Sequence, residues 1–84
     1  MERRLPGTWI VYSRPDCGLC QDFIVELACL LGEAASEVQL ADIECDPDLL
    51  RRYSDRIPVL TVDDDLVCAI RVDVERVLRH MKPE

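Results

Sequence analysis

Trp9-Ile10-Val11-Tyr12-Ser13-Arg14-Pro15-Asp16-Cys17-Gly18-Leu19-Cys20 is the stretch that decides how this chain folds. Its first five residues form a continuous apolar, β-favouring run, the pattern of a strand buried on both faces. Pro15, Asp16 and Gly18 interrupt that run. From Cys20 onward the apolar residues fall at Cys20, Phe23, Ile24, Leu27, Ala28 and Leu31. This is the i, i+3, i+4, i+7 spacing of a helix that buries one face, and Gly32 is placed to end it. The C-x-x-C pair therefore sits at a strand–helix junction. Unpaired N–H groups and the positive end of the helix dipole favour a thiolate at Cys17 and predict a lowered pKa. Arg14 adds a cation nearby, while Asp16 and Asp22 act in the opposite sense. Cys20 lies one turn further on the same side, within reach to resolve a mixed disulfide. C-x-x-C beside a βαβ pattern is a redox signature.

Working outward, Val38, Leu40, Ala41 and Ile43 suggest a second strand. Asp46-Pro47 reads as an N-cap with proline at the first helical position, opening a short helix that runs to Tyr53. Residues 58–62 and 66–70 are apolar runs on either side of Asp63-Asp64-Asp65, which predicts a hairpin with the aspartates in its turn. Asp73 is placed to cap a last helix whose apolar face is Val74, Val77, Leu78 and Met81. The first six residues read as a loose lead-in. The order β-α-β-α-β-β-α implies an α/β fold in which a right-handed crossover joins a parallel strand pair. The hairpin makes the four-stranded sheet mixed, with helices on both faces.

Tyr12-Ser13-Arg14-Pro15-Asp16-Cys17-Gly18-Leu19-Cys20 resembles the tyrosine-serine-lysine-proline-x-C-x-x-C signature of glutaredoxins, with Arg14 in the lysine position. Ile57-Pro58 falls where the thioredoxin superfamily carries its cis-proline loop. The resemblance runs from about residue 8 to residue 81 of a single domain, 1–84, and is closest to the short glutaredoxin-like proteins. It implies a thioredoxin-like fold and a dithiol–disulfide oxidoreductase, in which Cys17 attacks a disulfide as the thiolate and Cys20 displaces the reduced product. It further implies that Arg14, Gly18, Leu19, Ile57, Pro58 and Asp73 bind substrate. Ile57 would offer backbone hydrogen bonds, and a cis Pro58 would pack on the cysteines and keep metal away. The implied substrates are a disulfide-containing protein or a glutathione mixed disulfide. Glutathione is the implied electron donor, and no bound cofactor is expected. Two segments depart from the pattern. Arg56-Ile57-Pro58 replaces Thr-Val-Pro, and Cys68-Ala69-Ile70-Arg71-Val72-Asp73 replaces a Gly-Gly pair followed by Asp, without any glycine.

Composition narrows the alternatives. The chain has 84 residues and a formal charge of −7, with 49% hydrophobic and only 5% aromatic residues. An acidic chain poor in aromatics lacks both the phosphate-neutralising and the base-stacking means of binding nucleic acid. No apolar run reaches the roughly 18 residues of a membrane span. The N-terminal residues lack the pattern of a secretory signal, so a cytoplasmic protein is expected, and it is expected to be a monomer. Five cysteines are too odd a set for a disulfide framework in a reducing compartment. Cys29 and Cys68 are expected to be small buried residues, and Cys45, in a loop, is a candidate for a regulatory disulfide. Two other readings of Cys17 and Cys20 stay open. One is an iron–sulfur or metal site, for which the small Gly18 leaves room and no second C-x-x-C supplies the remaining ligands. The other is a non-catalytic module that docks a partner. Arg51, Arg52 and Arg56 read as a solvated face, and His80 as a favourable cation near a helix C-terminus.

Overall fold

A computed structural model describes residues 5–81. The elements are β1 (Trp9–Ser13), α1 (Gly18–Leu31), a 3₁₀ segment (Gly32–Glu37), β2 (Gln39–Asp42), a 3₁₀ turn (Ile43–Cys45), α2 (Pro47–Tyr53), β3 (Val59–Val62), β4 (Asp65–Ala69) and α3 (Val74–Met81). The strands form one sheet in the order β2-β1-β3-β4. β1 pairs parallel with β2 and antiparallel with β3, and β3 pairs antiparallel with β4. This is the β-α-β-α-β-β-α arrangement of a thioredoxin-like fold.

Each element begins and ends where local chemistry favours it. Asp46 caps α2 by accepting the Asp48 N–H at 2.9 Å, with Pro47 at the first helical position. Gly32 ends α1 at φ 64°, a conformation that suits a residue without a Cβ. The β3–β4 hairpin turns through Asp63 and Asp64 at φ 51° and 69°. A two-residue hairpin turn of this kind requires positive φ at both central residues, and aspartate tolerates it. Asp63 also ties the hairpin to the start of β1: its N–H donates to Thr8 O, and its carboxylate accepts the Thr8 N–H, both at 2.9 Å.

The core forms on one face of the sheet. Trp9, Val11, Leu60 and Val62 pack there with Phe23, Leu27 and Leu31 of α1 and Val77 of α3. The Trp9 indole N–H donates to Pro6 O at 2.9 Å, so this buried ring leaves no polar atom unpaired. Strand alternation sends Tyr12 to the opposite face. There it stacks on Tyr53 of α2 with ring centroids 4.7 Å apart, which places α2 on that side.

The structure corrects several expectations. Cys29 is exposed, because α1 buries Cys20, Phe23, Leu27 and Leu31, and Cys29 lies two positions past Leu27 on the far side of the helix. The apolar face of α3 is narrower than expected. Val77 is buried and Met81 half-buried, whereas Val74 and Leu78 remain largely exposed. β2 is shorter than its apolar run, and Ile43 is buried in the turn that follows it. Leu5 is part of the core, held by its N–H donating to the Glu37 carboxylate at 2.9 Å, so the lead-in is anchored by residue 5. Residues 1–4 of the lead-in lie outside the described residues.

Candidate functional site

The strand register brings four segments to one end of the sheet. Ser13 at the end of β1 stands opposite Asp42 at the end of β2, and Tyr12 stands opposite Val59 at the start of β3. Val59 in turn stands opposite Ala69 at the end of β4. The loops 14–17, 43–46, 57–58 and 70–73 therefore meet the sheet at the same end.

The first loop positions the cysteines. Asp16, at φ 59°, reverses the chain into α1. Cys17 is the N-cap of that helix, with its backbone extended (φ −107°) and its Sγ accepting the Cys20 N–H at 3.2 Å. Cys17 and Cys20 are joined as a disulfide, with Cα atoms 5.2 Å apart. Their environments differ: Cys17 is half-buried, whereas Cys20 is only 2% exposed. Of the two sulfur-bearing residues, Cys17 is the one that reaches the surface. No acidic side chain lies in the first turn of α1 to oppose a negative charge at Cys17.

The remaining predicted residues fall into two groups. The Ile57–Pro58 peptide is cis, with Pro58 buried and Ile57 half-buried at the entry to β3. Pro58 O accepts the Ile70 N–H at 2.7 Å, which joins the proline loop directly to the segment after β4. Gly18 and Leu19 open α1, and Leu19 is 60% exposed. Asp73 caps α3, accepting the Arg76 N–H at 3.2 Å, and pairs with the Arg76 guanidinium at 3.6 Å. Arg14 lies apart from these, lining a hollow on the β2 side with Pro15, Leu40 and Asp42.

One functional candidate is not visible in the sequence pattern. Ile70 is β-branched, 46% exposed, and held at φ 70°. The Arg71 N–H donates to Ala69 O across it at 2.7 Å. An i→i+2 bond over a residue of positive φ is the γ-turn of the rarer, strained hand. The signal the sequence offers is the segment Cys68–Asp73, which has no glycine where the resemblance leads one to expect a Gly-Gly pair. A groove runs beside this turn, lined by Leu19, Asp22, Phe23, Glu26, Ile70 and Arg71.

Two of the other thiols, Cys68 and Cys45, are held in the protonated form more strongly than a free thiol. Burial pushes the Cys68 thiol up, partly offset by the Asp73 N–H, with the Asp73 carboxylate adding to the rise. Cys45 is exposed, and the Asp42 carboxylate beside it raises its pKa, with smaller contributions from desolvation and from Glu44. Metal on Cys17 and Cys20 would need ligands from elsewhere, since no group of three His, Cys, Asp or Glu side chains converges among the described residues. No helix among them is long and apolar enough to cross a membrane.

With the geometry in place, residues 8–82 match the family described as glutaredoxin-like domain (DUF836). The chain belongs to this glutaredoxin-like family. It is similar to protein Ne2328 from Nitrosomonas europaea, known from a solution NMR structure. The two share 30% identity over 92% of this chain and 93% of that one, with a TM-score of 0.77. It is also similar to protein XcR50 from X. campestris, known from an X-ray structure, at 28% identity over 83% of this chain and 89% of that one, with a TM-score of 0.65. No curated protein matches the chain. The matched residues 8–82 include the cysteine pair, the cis proline and the segment after β4.

Proposed function

We propose that this protein is a thiol–disulfide oxidoreductase that reduces disulfides through Cys17 and Cys20. The observation that carries the reading is the asymmetry of the pair: Cys17 is accessible at a helix N-terminus, and Cys20 is buried one turn behind it. In the reduced pair, the Cys20 N–H and the helix dipole stabilise a thiolate at Cys17. That thiolate attacks one sulfur of a substrate disulfide R–S–S–R′, forming Cys17–S–S–R and releasing R′–S⁻, which takes a proton from water. Cys20 then gives up its proton, attacks Cys17 Sγ and releases R–S⁻, which is protonated in turn. Substrate gains two electrons and two protons, and the protein is left as the Cys17–Cys20 disulfide. Two equivalents of a thiol reductant return it to the dithiol and become a disulfide themselves. Ile57 and Pro58, at the same end of the sheet, are the backbone against which an extended substrate segment lies.

Equilibration in glutathione redox buffers tests this reading, with the Cys17–Cys20 state read by mass after alkylation. A single two-electron transition between roughly −120 and −270 mV is the expected outcome. A Cys17→Ser variant that still reduced disulfides at the full rate would remove Cys17 from the role of nucleophile.

A further inference from the structure

The γ-turn at Ile70 and the groove beside it bear on which disulfides this protein accepts, an inference that rests on the oxidoreductase reading above. Three observations converge. First, two large apolar side chains, Leu19 and Ile70, stand exposed on the rim of one groove, at 60% and 46%. Leu19 lies between the two cysteines in sequence, and Ile70 is hydrogen-bonded to cis Pro58. Second, Ile70 is a branched residue in a left-handed γ-turn, a conformation that glycine would adopt without penalty. Backbone strain held at an exposed position of a site points to a contact made by the side chain it presents. Third, Asp22 and Glu26 line the groove against one cation, Arg71, and Asp16 precedes Cys17.

We propose that the groove selects polypeptide disulfides in which a large apolar side chain adjoins the half-cystine and a basic residue follows it, and that Ile70 determines this selectivity. The apolar side chain covers Leu19 and Ile70, and the basic residue meets Asp22 and Glu26. Glutathione has no apolar side chain beside its cysteine and no basic residue after it. Each half brings two carboxylates against one ammonium, a net negative charge, to a groove that already carries more acid than base. Selectivity follows from the apolar burial available to one class of substrate and the like-charge repulsion met by the other. The chemical step is unchanged: Cys17 attacks the substrate sulfur, Cys20 closes the protein disulfide, and the substrate leaves as two thiols.

The experiment uses the reduced full-length protein in single-turnover exchange with four disulfides. These are a Leu-Cys-Lys peptide dimer, a Gly-Cys-Glu peptide dimer, oxidised glutathione, and the small neutral 2-hydroxyethyl disulfide. Each rate is divided by that of the same disulfide with dithiothreitol, which removes differences in leaving-group reactivity. The Leu-Cys-Lys dimer should exceed the Gly-Cys-Glu dimer and glutathione by roughly tenfold, the scale of discrimination that a small difference in apolar fit supplies. Ile70→Gly, which relieves the left-handed backbone and so keeps the fold, should lower the ratio severalfold, toward what Leu19 and charge supply without it. Raising salt should reduce the remaining preference. Equal normalised rates, faster reduction of glutathione, or an undiminished ratio in Ile70→Gly would each overturn the proposal. If none of the four disulfides is reduced, including the small neutral one, the oxidoreductase reading itself fails and this inference goes with it.

Discussion

Replacing Ile70 in turn by glycine and by alanine separates the backbone of the γ-turn from the side chain it carries. Both variants lose nearly the same side chain, and only alanine keeps a Cβ at φ 70°. A Cβ in the left-handed region costs about 1–2 kcal/mol. Glycine, in its turn, loses roughly 0.5–1 kcal/mol more than alanine through backbone entropy on folding. The difference leaves Ile70→Ala about 0.5–1 kcal/mol less stable than Ile70→Gly, the reverse of the usual order. Relative to the parent, the side chain is 46% exposed. Its loss therefore forfeits about half of the roughly 1.5–3 kcal/mol of a fully buried aliphatic, or about 1 kcal/mol. Relief of the backbone offsets that loss in the glycine variant, which should lie within about 1 kcal/mol of the parent. Urea unfolding with a common m-value gives the order directly. The corresponding separation in Tm is roughly 2–8 °C for a domain of this size. If alanine matches or exceeds glycine, Ile70 is not held at positive φ, and the argument from a strained contact residue is refuted.

Other parts of the fold give equally definite expectations. Gly7 sits at φ 87°, and a Cβ there would lie 2.5 Å from Asp63 Oδ2. Gly7→Ala should cost about 2–3 kcal/mol, combining the left-handed penalty with displacement of the carboxylate that accepts the Thr8 N–H. Measured by urea unfolding, its cost should fall when combined with Asp63→Ala, because the two share one contact. Thr61 is buried with its Oγ1 unpartnered among the described residues. Thr61→Val keeps the shape and removes the unsatisfied hydroxyl, so it should raise stability by about 1 kcal/mol in the same assay. Burial raises the Cys68 thiol pKa in the folded protein, so the unfolded chain ionises first as pH rises. The thiol's contribution to stability is complete below the unfolded value of about 8.5 and is lost as pH climbs through it toward the higher folded one. Unfolding at pH 7 and pH 10 should show a smaller alkaline loss in Cys68→Ala than in the parent.

Much of this architecture is legible in the sequence because the deciding signals are local. Asp46-Pro47 and Gly32 act through their own backbone and nearest N–H groups, and they delimit α2 and α1 where the sequence places them. Cys17 is similar, since the chain must leave a buried strand and enter a helix within four residues, which leaves it at the cap. Signals fail where a third element decides. Whether Cys29 is buried depends on how far the sheet and the 3₁₀ segment wrap α1, and only the stripe through Phe23, Leu27 and Leu31 is covered. Val74 and Leu78 share the helical face of Val77, yet only Val77 finds the core, because α3 meets the sheet at its outer strand, β4.

Ile70 is the clearest case of non-local control, and it explains why the chemistry can be read before the specificity. Nothing in Ala69-Ile70-Arg71 favours positive φ, and isoleucine opposes it. The conformation follows from two fixed ends. Ile70 N is bonded to Pro58 O, and three residues later Asp73 must be in position to cap α3. The chain has to turn within that interval, and the γ-turn is the result. Cys17 and Cys20 need only a strand–helix junction to come within disulfide distance, so a short motif suffices to recognise them. The groove proposed to select substrate is assembled from α1 and the segment after β4, which are far apart in sequence and lie side by side along it. The proline loop holds the second of these in place through the Ile70 N–H. The cysteine pair and the cis proline can therefore keep their places while a substitution in that outer turn alters the surface beside them. In this chain, an isoleucine at a position that suits glycine puts an apolar contact beside an acidic groove. The difference in selectivity between the parent and Ile70→Gly measures how much that exchange supplies.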